Sequence, residues 1–541
     1  MQYTWPFIVL FFWLPVAICH AETKAGAIKD AEFIIEKQKK NTVTQEQKLF
    51  FKAPMPTTKG LHKPLKTLQE ATLEDILFDP APALYFPFGL KQKGAGPSFH
   101  HYCSIGMGSL LLPYVELGLG NTPFVKGIWS TNLAFVPALW NKKAREASLA
   151  LQGRYGLGSW RLQPHLNYQY AWHKYSDATA HTCKLHQGNI SLWVKQASES
   201  STQDGQVDIK ITGYQDKNIN EQLCRLKYKW VKQLNHWSLQ LASYNDIASY
   251  TNDRNQQKRF ILSATPSLCI HLSSSMLLKA GVRMAYHNDP ILGTIPNFDL
   301  YPMAKIGYVM ATWLSTYIGI KGMGVGGSVI PLHLHDIVAK NPFIASSWKL
   351  SHPHQYLKVY GGSKGIIAPK LAYYFHIAYR QLKNQSRIVS VTKDQIRLHY
   401  NPKDYNLLKT TGLVSYGMPD TRYRATIKGT YYQYFENSSA PIWWYHKPLY
   451  KLKPTFTYKP HSKVWLTGNL DLRGPTVVKD INGTSREIGT MINLSLGMDY
   501  FISKRLAAFV MISNLLNRSH IAYTGYPDKK INITAGLAYR W

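Results

Sequence analysis

Acidic residues are scarce in this chain. Its 541 residues include 31 Asp plus Glu against 63 Lys plus Arg, a formal net charge of +32. Charged residues make up 17% of the chain, below the roughly 25% usual in soluble domains. Catalytic signatures are missing too: there is no G-x-S-x-G elbow, no H-E-x-x-H and no nucleophile–base pair readable in the sequence. No enzyme activity is expected. Beyond the first twenty or so residues no apolar run approaches the roughly 18–20 residues of a spanning helix. Mean hydropathy is −0.24, which excludes a bundle of membrane helices. Cysteine is sparse, and Cys103, Cys183, Cys224 and Cys269 show no C-x-x-C spacing, which excludes the usual structural zinc patterns. They read as lone thiols; a Cys183–Cys224 bridge between neighbouring loops is the one pairing considered. The basic excess invites a nucleic-acid reading, but the charges are spread and no helix-turn-helix, zinc-finger or RNP-like pattern is present. No nucleic-acid partner is expected. Basic side chains facing a lumen or lipid phosphates account for the charge better.

What is abundant is aromatic. Aromatics reach 13%, with 35 Tyr and 15 Trp, residues suited to a membrane–water interface. From Ser98 onward the hydrophobic period is two. Trp160, Leu162, Pro164, Leu166, Tyr168, Tyr170 and Trp172 alternate with Arg161, Gln163, His165, Asn167 and Gln169. Cys224, Leu226, Tyr228 and Trp230 alternate with Arg225, Lys227 and Lys229. The chain closes on Ile531, Ile533, Ala535, Leu537, Tyr539 and Trp541, interleaved with small or polar residues. Side chains alternate across a strand, so each run has one apolar and one polar face. The runs number about 20–24 and recur about every 20 residues, which predicts an all-β fold: a large antiparallel transmembrane barrel of about 22 strands. Ser198–Gly205, Thr251–Lys258 and His287–Asn297 read as loops.

The domain reading has three parts. Residues 1–21 form a secretory leader ending at Cys19-His20-Ala21. Residues 22–96, rich in proline and poor in alternation, form a partly ordered periplasmic extension. Residues 97–541 form the barrel.

Several segments resemble the TonB-dependent receptor-like outer-membrane barrels of Bacteroidetes-type bacteria, in the form without a plug domain. They are Asp30–Lys40, Pro113-Tyr114-Val115-Glu116, Asn341-Pro342-Phe343, Tyr360–Gly365, Trp444–Pro448, and Ser513–Asn517 followed by Gly525-Tyr526-Pro527. The resemblance implies a barrel in the bacterial outer membrane with its N-terminus in the periplasm. It also implies solute uptake with a partner as gate or energy coupler. No convincing TonB box is present, so energised uptake is implied less firmly than fold and location.

Site expectations follow from the polar parity. Arg161, Arg225, Lys227 and Lys229 are the candidate lumen-facing bases, and they would favour anionic cargo. Ile533, Leu537, Tyr539 and Trp541 are the expected lipid-facing closing strand. His333 with His335, and His352 with His354, would share a face on a strand and could bind metal beside Asp336. Plain loop or lumen histidines are the favoured reading, and no metal or cofactor is expected. Lys364 in G-G-S-K-G lacks phosphate-loop spacing and reads as a turn, and Gly322 to Gly327 as a bend. The expected partners are outer-membrane lipid and, through the extension, other envelope proteins; the ligand stays open. The alternative function is a structural or assembly component of an outer-membrane complex.

Overall fold

In the computed structural model the described residues run from His101 to Trp541, apart from residues 109–111, 125–126, 137–143, 158, 175–181, 198–200, 289–297, 312, 323–330, 339–348, 369, 391–395, 402–404, 418–420, 437–447, 480–484, 519–520, 524–525 and 528–530. The expected leader and extension lie outside the described residues.

Strands follow the alternation. They are β1 His101–Gly108, β2 Leu112–Phe124, β3 Gly127–Val136, β4 Ala144–Leu157, β5 Trp160–Lys174, β6 Thr182–Ala197, β7 Ser201–Tyr214, β8 Asn220–Gln233, β9 Trp237–Thr251 and β10 Gln256–His271. Next come β11 Met276–His287, β12 Phe298–Ala311, β13 Leu314–Lys321, a short helix α1 Leu334–Val338, β14 His354–Ala368, β15 Leu371–Lys383, β16 Gln385–Ser390, β17 Ile396–Asn401 and β18 Tyr405–Tyr416. The remainder are β19 Tyr423–Glu436, β20 Tyr450–His461, β21 Val464–Arg473, β22 Thr476–Lys479, β23 Ser485–Ile488, β24 Met491–Phe501, β25 Leu506–Ser513, β26 Ile521–Tyr523, β27 Tyr526–Pro527 and β28 Asn532–Arg540. No helix among the described residues is long and apolar enough to cross a membrane.

Twenty-two strands form one sheet, and β16–β17, β22–β23 and β26–β27 are separate hairpins. Neighbours pair antiparallel in chain order, with β15 joining β18, β21 joining β24 and β25 joining β28 across the hairpins. β28 then pairs with β1, from Tyr102 opposite Arg540 to Gly108 opposite Thr534, so the ladder returns to its first strand. Closure leaves no unpaired edge, which hydrocarbon would penalise at several kcal/mol per open polar group.

Connections alternate in length. One end of the barrel carries tight turns, such as 462–463 and 502–505; the other carries longer excursions, such as 322–353 and 514–531. His101 and Trp541 exchange backbone hydrogen bonds at 3.2 and 3.1 Å at the tight-turn end.

The two faces differ as the alternation requires. Ile533, Leu537, Tyr539 and Trp541 are exposed, whereas Asn532, Thr534 and Ala538 between them are buried. Ile190, Ile209, Ile247, Ile318 and Ile377 are exposed on other strands in the same way. Trp160, Trp237, Trp313, Tyr423 and Trp541 are exposed beside tight turns, and Tyr286, Phe298 and Phe435 near the opposite end. This is the apolar belt with aromatic margins that a bilayer selects.

Three expectations need correcting. Cys183 and Cys224 are not joined by a disulfide: Cys183 is buried on β6, Cys224 is exposed on β8, and β7 lies between. Two strand spacings of about 4.8 Å exceed the roughly 4.4–6.8 Å Cα separation of a disulfide. Residues 201–205 belong to β7, and at Thr251–Lys258 the strands run almost to a tight turn at 252–255. Lys364 lies within β14 rather than in a turn.

Candidate functional site: a basic wall and an internal strap

The inner face has two unlike sectors. In the first, β6 to β10, bases stand beside acids. Arg225 and Asp208 are cross-strand partners, as are Lys229 and Asp204. Arg225 Nη2 is 2.8 Å from Asp246 Oδ2, and Tyr244 Oη donates to the same oxygen at 2.7 Å. Lys227 Nζ donates to Gln206 Oε1 at 3.4 Å and stands 4.0 Å from Asp208. Lys227 and Lys229 line a cavity of about 300 Å³ with Trp193, Asp204, Gln206 and Tyr244. Arg161 stands apart, opposite Lys195 on β6. All four bases expected from the sequence therefore occupy the polar parity of their strands. Only Arg225, Lys227 and Lys229 are brought together, in a sector where carboxylates offset them.

This sector is covered by a strap from the β13–β14 connection. Its residues 331–338 and 349–353 pack against β8, β9 and β10. Glu221 on β8 is ion-paired with Arg259 on β10, both buried, and its Oε2 accepts the Leu334 N–H at 2.7 Å. Arg259 Nη1 donates to the Leu332 carbonyl at 3.0 Å. His333 reaches Glu221 Oε1 at 3.3 Å through Nδ1 and Asp246 Oδ2 at 3.1 Å through Nε2. Both ring nitrogens thus face carboxylates, which selects the imidazolium, the form with two donors. Burial pushes the His333 ring down, but its hydrogen bonds to Asp246 and Glu221 and their charges outweigh that and hold it above the usual histidine range. His352 is pushed the opposite way, well below that range, by complete burial and then by the positive charge of Arg259. Burial raises the Asp336 carboxyl, but the hydrogen bond and charge of His335 outweigh it, and Asp336 is held low. Below these ions Leu334, Ile337, Val338 and Leu350 are buried against Ala171, Cys183, Leu185, Tyr214, Ile219 and Tyr250. The expected histidine pairs do not sit as strand pairs. His333 precedes α1 and is buried, while His335 lies in α1 and is half exposed. Among the described residues no His/Cys/Asp/Glu group of three or more could hold a metal.

The second sector runs from β11 to β20, and its bases meet bases. β13, β14, β15, β18 and β20 contain no Asp or Glu. One row of cross-strand partners reads Lys321, Lys358, Arg380 over β13, β14 and β15. The next reads Lys279, Lys305, Gly319, Tyr360, Ala378, Lys409, Tyr432. Others pair Lys428 with Lys453 and Lys451 with Arg473, and at this margin a carboxylate enters: Asp471 on β21 ion-pairs with Lys453 at 3.5 Å and with Arg473 at 2.7 Å. Like charges directly opposite one another are destabilising, by up to about 1 kcal/mol each.

Tyrosines floor this wall, and two glycines make the space. A Cβ on Gly319 would stand 2.8 Å from the Tyr360 ring, and one on Gly362 would stand 2.7 Å from Tyr317 Oη. With glycine there, each ring can lie close against the neighbouring strand. Lys358, Lys305 and Lys321 Nζ then lie 4.8, 5.9 and 5.9 Å from the Tyr360 centroid, within cation–π range. Tyr317 Oη bonds His376 Nδ1 at 2.9 Å and Tyr374 Oη at 3.2 Å. The sequence reading missed this wall. Its visible sign is basic residues sharing one parity, as in Lys451-x-Lys453, on strands devoid of acids.

No protein-family model matches the chain, and no curated protein matches it in sequence. Solved structures do match in fold, and those that match are antiparallel β-barrels. The ferripyoverdine receptor of Pseudomonas aeruginosa matches with a TM-score of 0.62 at 11% identity, over 83% of this chain and 73% of that one. The FrpB iron transporter of Neisseria meningitidis gives 0.62 at 8%, over 83% and 82%. The ferric-catecholate import receptor Fiu of E. coli K12 gives 0.59 at 9%, over 82% of each chain. Identities this low carry the fold, an all-β antiparallel barrel, and neither a role nor a ligand.

Proposed function

We propose that this protein is a TonB-dependent receptor-like barrel that takes up an anionic solute across the bacterial outer membrane. The observation that carries the reading is a closed ring of strands with an apolar outside and a strongly basic inside. The neighbours are named as receptors or transporters for iron and its carriers, which favours uptake over a purely structural role. In this reading Arg161, Arg225, Lys227 and Lys229 stand in the lumen with the larger basic wall. The chain joins its first and last strands at the tight-turn rim, the periplasmic rim in such barrels, which supports a periplasmic course for residues 22–96. That extension would meet other envelope proteins, in a receptor-like barrel of the plugless Bacteroidetes type. Reconstitution in planar bilayers tests uptake. Anion-preferring current or flux, alone or with a copurified partner, is expected; a sealed barrel that neither conducts nor imports any anion refutes it.

A further inference from the structure

We propose that the inner face of β13–β15 around Tyr360 is a binding site for a multiply charged oxyanion. The proposal rests on the uptake reading in assuming a solute-filled lumen, and it assigns that solute's chemistry and its place.

The geometry sets the charge of the ligand. Lys321, Lys358 and Arg380 are successive cross-strand partners on one face. Strands lie about 4.8 Å apart, so the three backbone positions span about 10 Å. Lys305 stands one row away, and Lys364 lies further along β14, inside the same wall and buried. A monovalent anion meets one or two of these cations. An anion with several charged oxygens, such as a polyphosphate or a polycarboxylate, meets the row at once. Lysine is a compact point charge with three donors and binds such oxygens well.

The wall is also shaped before any ligand arrives. The ring of Tyr360, seated over Gly319, draws the ammonium groups of Lys305, Lys321 and Lys358 towards one point. Their mutual repulsion is a standing cost that a bound polyanion relieves. Relief of that repulsion favours the bound state over the empty one, and it grows with ligand charge. The β6–β10 sector lacks this property, because Asp204, Asp208 and Asp246 stand among its bases.

Isothermal titration of the full-length protein in detergent at low salt tests the site, with tripolyphosphate, citrate and acetate as probes. Tripolyphosphate, citrate or both should bind, and the better of them identifies phosphate or carboxylate as the preferred oxyanion. Acetate should bind at least tenfold more weakly. Lys321→Gln combined with Lys358→Gln should weaken binding at least tenfold, and Lys321→Arg with Lys358→Arg should retain it within threefold. Lys463→Gln with Lys504→Gln, both in exposed tight turns, should leave it within twofold. Heat-modifiable gel migration checks that each variant keeps its barrel. Absence of binding by both polyanions overturns the proposal, as does equal loss from the two lysine-to-glutamine pairs. Binding without flux in bilayers would keep this site and sink the uptake reading; flux without binding would do the reverse.

Discussion

His333 and Asp246, 87 positions apart in the chain, meet at 3.1 Å beneath the β13–β14 strap. The contact links the only helical turn among the described residues to the inner face of β9. Its strength depends on protonation, and two histidines of the strap oppose each other in sign. His333 has its folded pKa raised. Its contribution is complete below the unfolded value of about 6.5 and is lost as pH rises through the higher folded value. His352 has its folded pKa lowered, so its neutral form is favoured; its contribution is complete above about 6.5 and declines as pH falls below that. Strap attachment should therefore peak near pH 6.5, declining above it as His333 loses its proton and below it as His352 is driven to gain one. Hydrogen exchange of residues 331–338 followed against pH should show maximal protection near that pH. His333→Gln should abolish the alkaline limb and His352→Gln the acid limb. A flat profile in the native protein would refute the assignment.

The glycine beneath Tyr360 offers a cleaner test of packing. A Cβ at Gly319 would meet Tyr360 Cζ and Oη at 2.8 Å and the Ala304 carbonyl at 3.0 Å. Gly319→Val should displace the ring and destabilise the barrel by about 1–3 kcal/mol, the usual range for overpacking. Tyr360→Ala removes the obstacle, so the double variant should recover much of that loss. A double-mutant cycle on the thermal unfolding of the detergent-solubilised barrel measures the coupling, expected at about 0.5–3 kcal/mol. Strict additivity would show that the ring does not need the glycine.

The outer belt predicts a different response. Ile318 is 59% exposed on the face opposite Tyr317 and Gly319. Ile318→Arg should cost about 2–4 kcal/mol in a bilayer if the site is near the midplane. In a soluble protein the same exposed change would fall within about 0.5 kcal/mol. Folding equilibria in lipid vesicles, compared with Ile318→Leu, separate the two cases.

Much of this molecule was legible in period-two alternation. Trp160 to Trp172 announced a strand with an aromatic outside and a polar inside, and the register bears it out, with Gln169 opposite Gln187 and Arg161 opposite Lys195. The closing strand was equally plain, because Ile533, Leu537 and Trp541 repeat one parity and are exposed together. Legibility ended where function depends on which strand meets which. Arg225, Lys227 and Lys229 looked like the basic face because they sit close in sequence; their acidic partners come from β7 and β9. The denser wall escaped notice because Lys321, Lys358 and Arg380 become neighbours only through register. His333 and His335 suggested a strand pair because two-residue spacing was read with the barrel's period, whereas a turn of helix follows His333. The strap's destination is a contact across the barrel, and nothing local in residues 331–353 encodes it.

Glu221 is the residue on which the strap's attachment converges. It is 2% exposed, pairs with the buried Arg259, faces the His333 ring and accepts the Leu334 N–H. Removing one partner of a buried ion pair leaves the other charge without its counter-ion, at a cost of about 3–5 kcal/mol. That cost has two outlets here. The barrel ladder holds β8 by backbone bonds to β7 and β9 along its length, so it should survive. The strap is held by side chains, so it should yield first. Glu221→Ala should therefore release hydrogen-exchange protection at Leu334–Val338 while the barrel keeps its heat-modifiable migration. Glu221→Gln keeps an acceptor for the Leu334 N–H and should release it less. Equal protection in all three proteins would show that Leu334, Ile337, Val338 and Leu350 hold the strap by apolar packing alone.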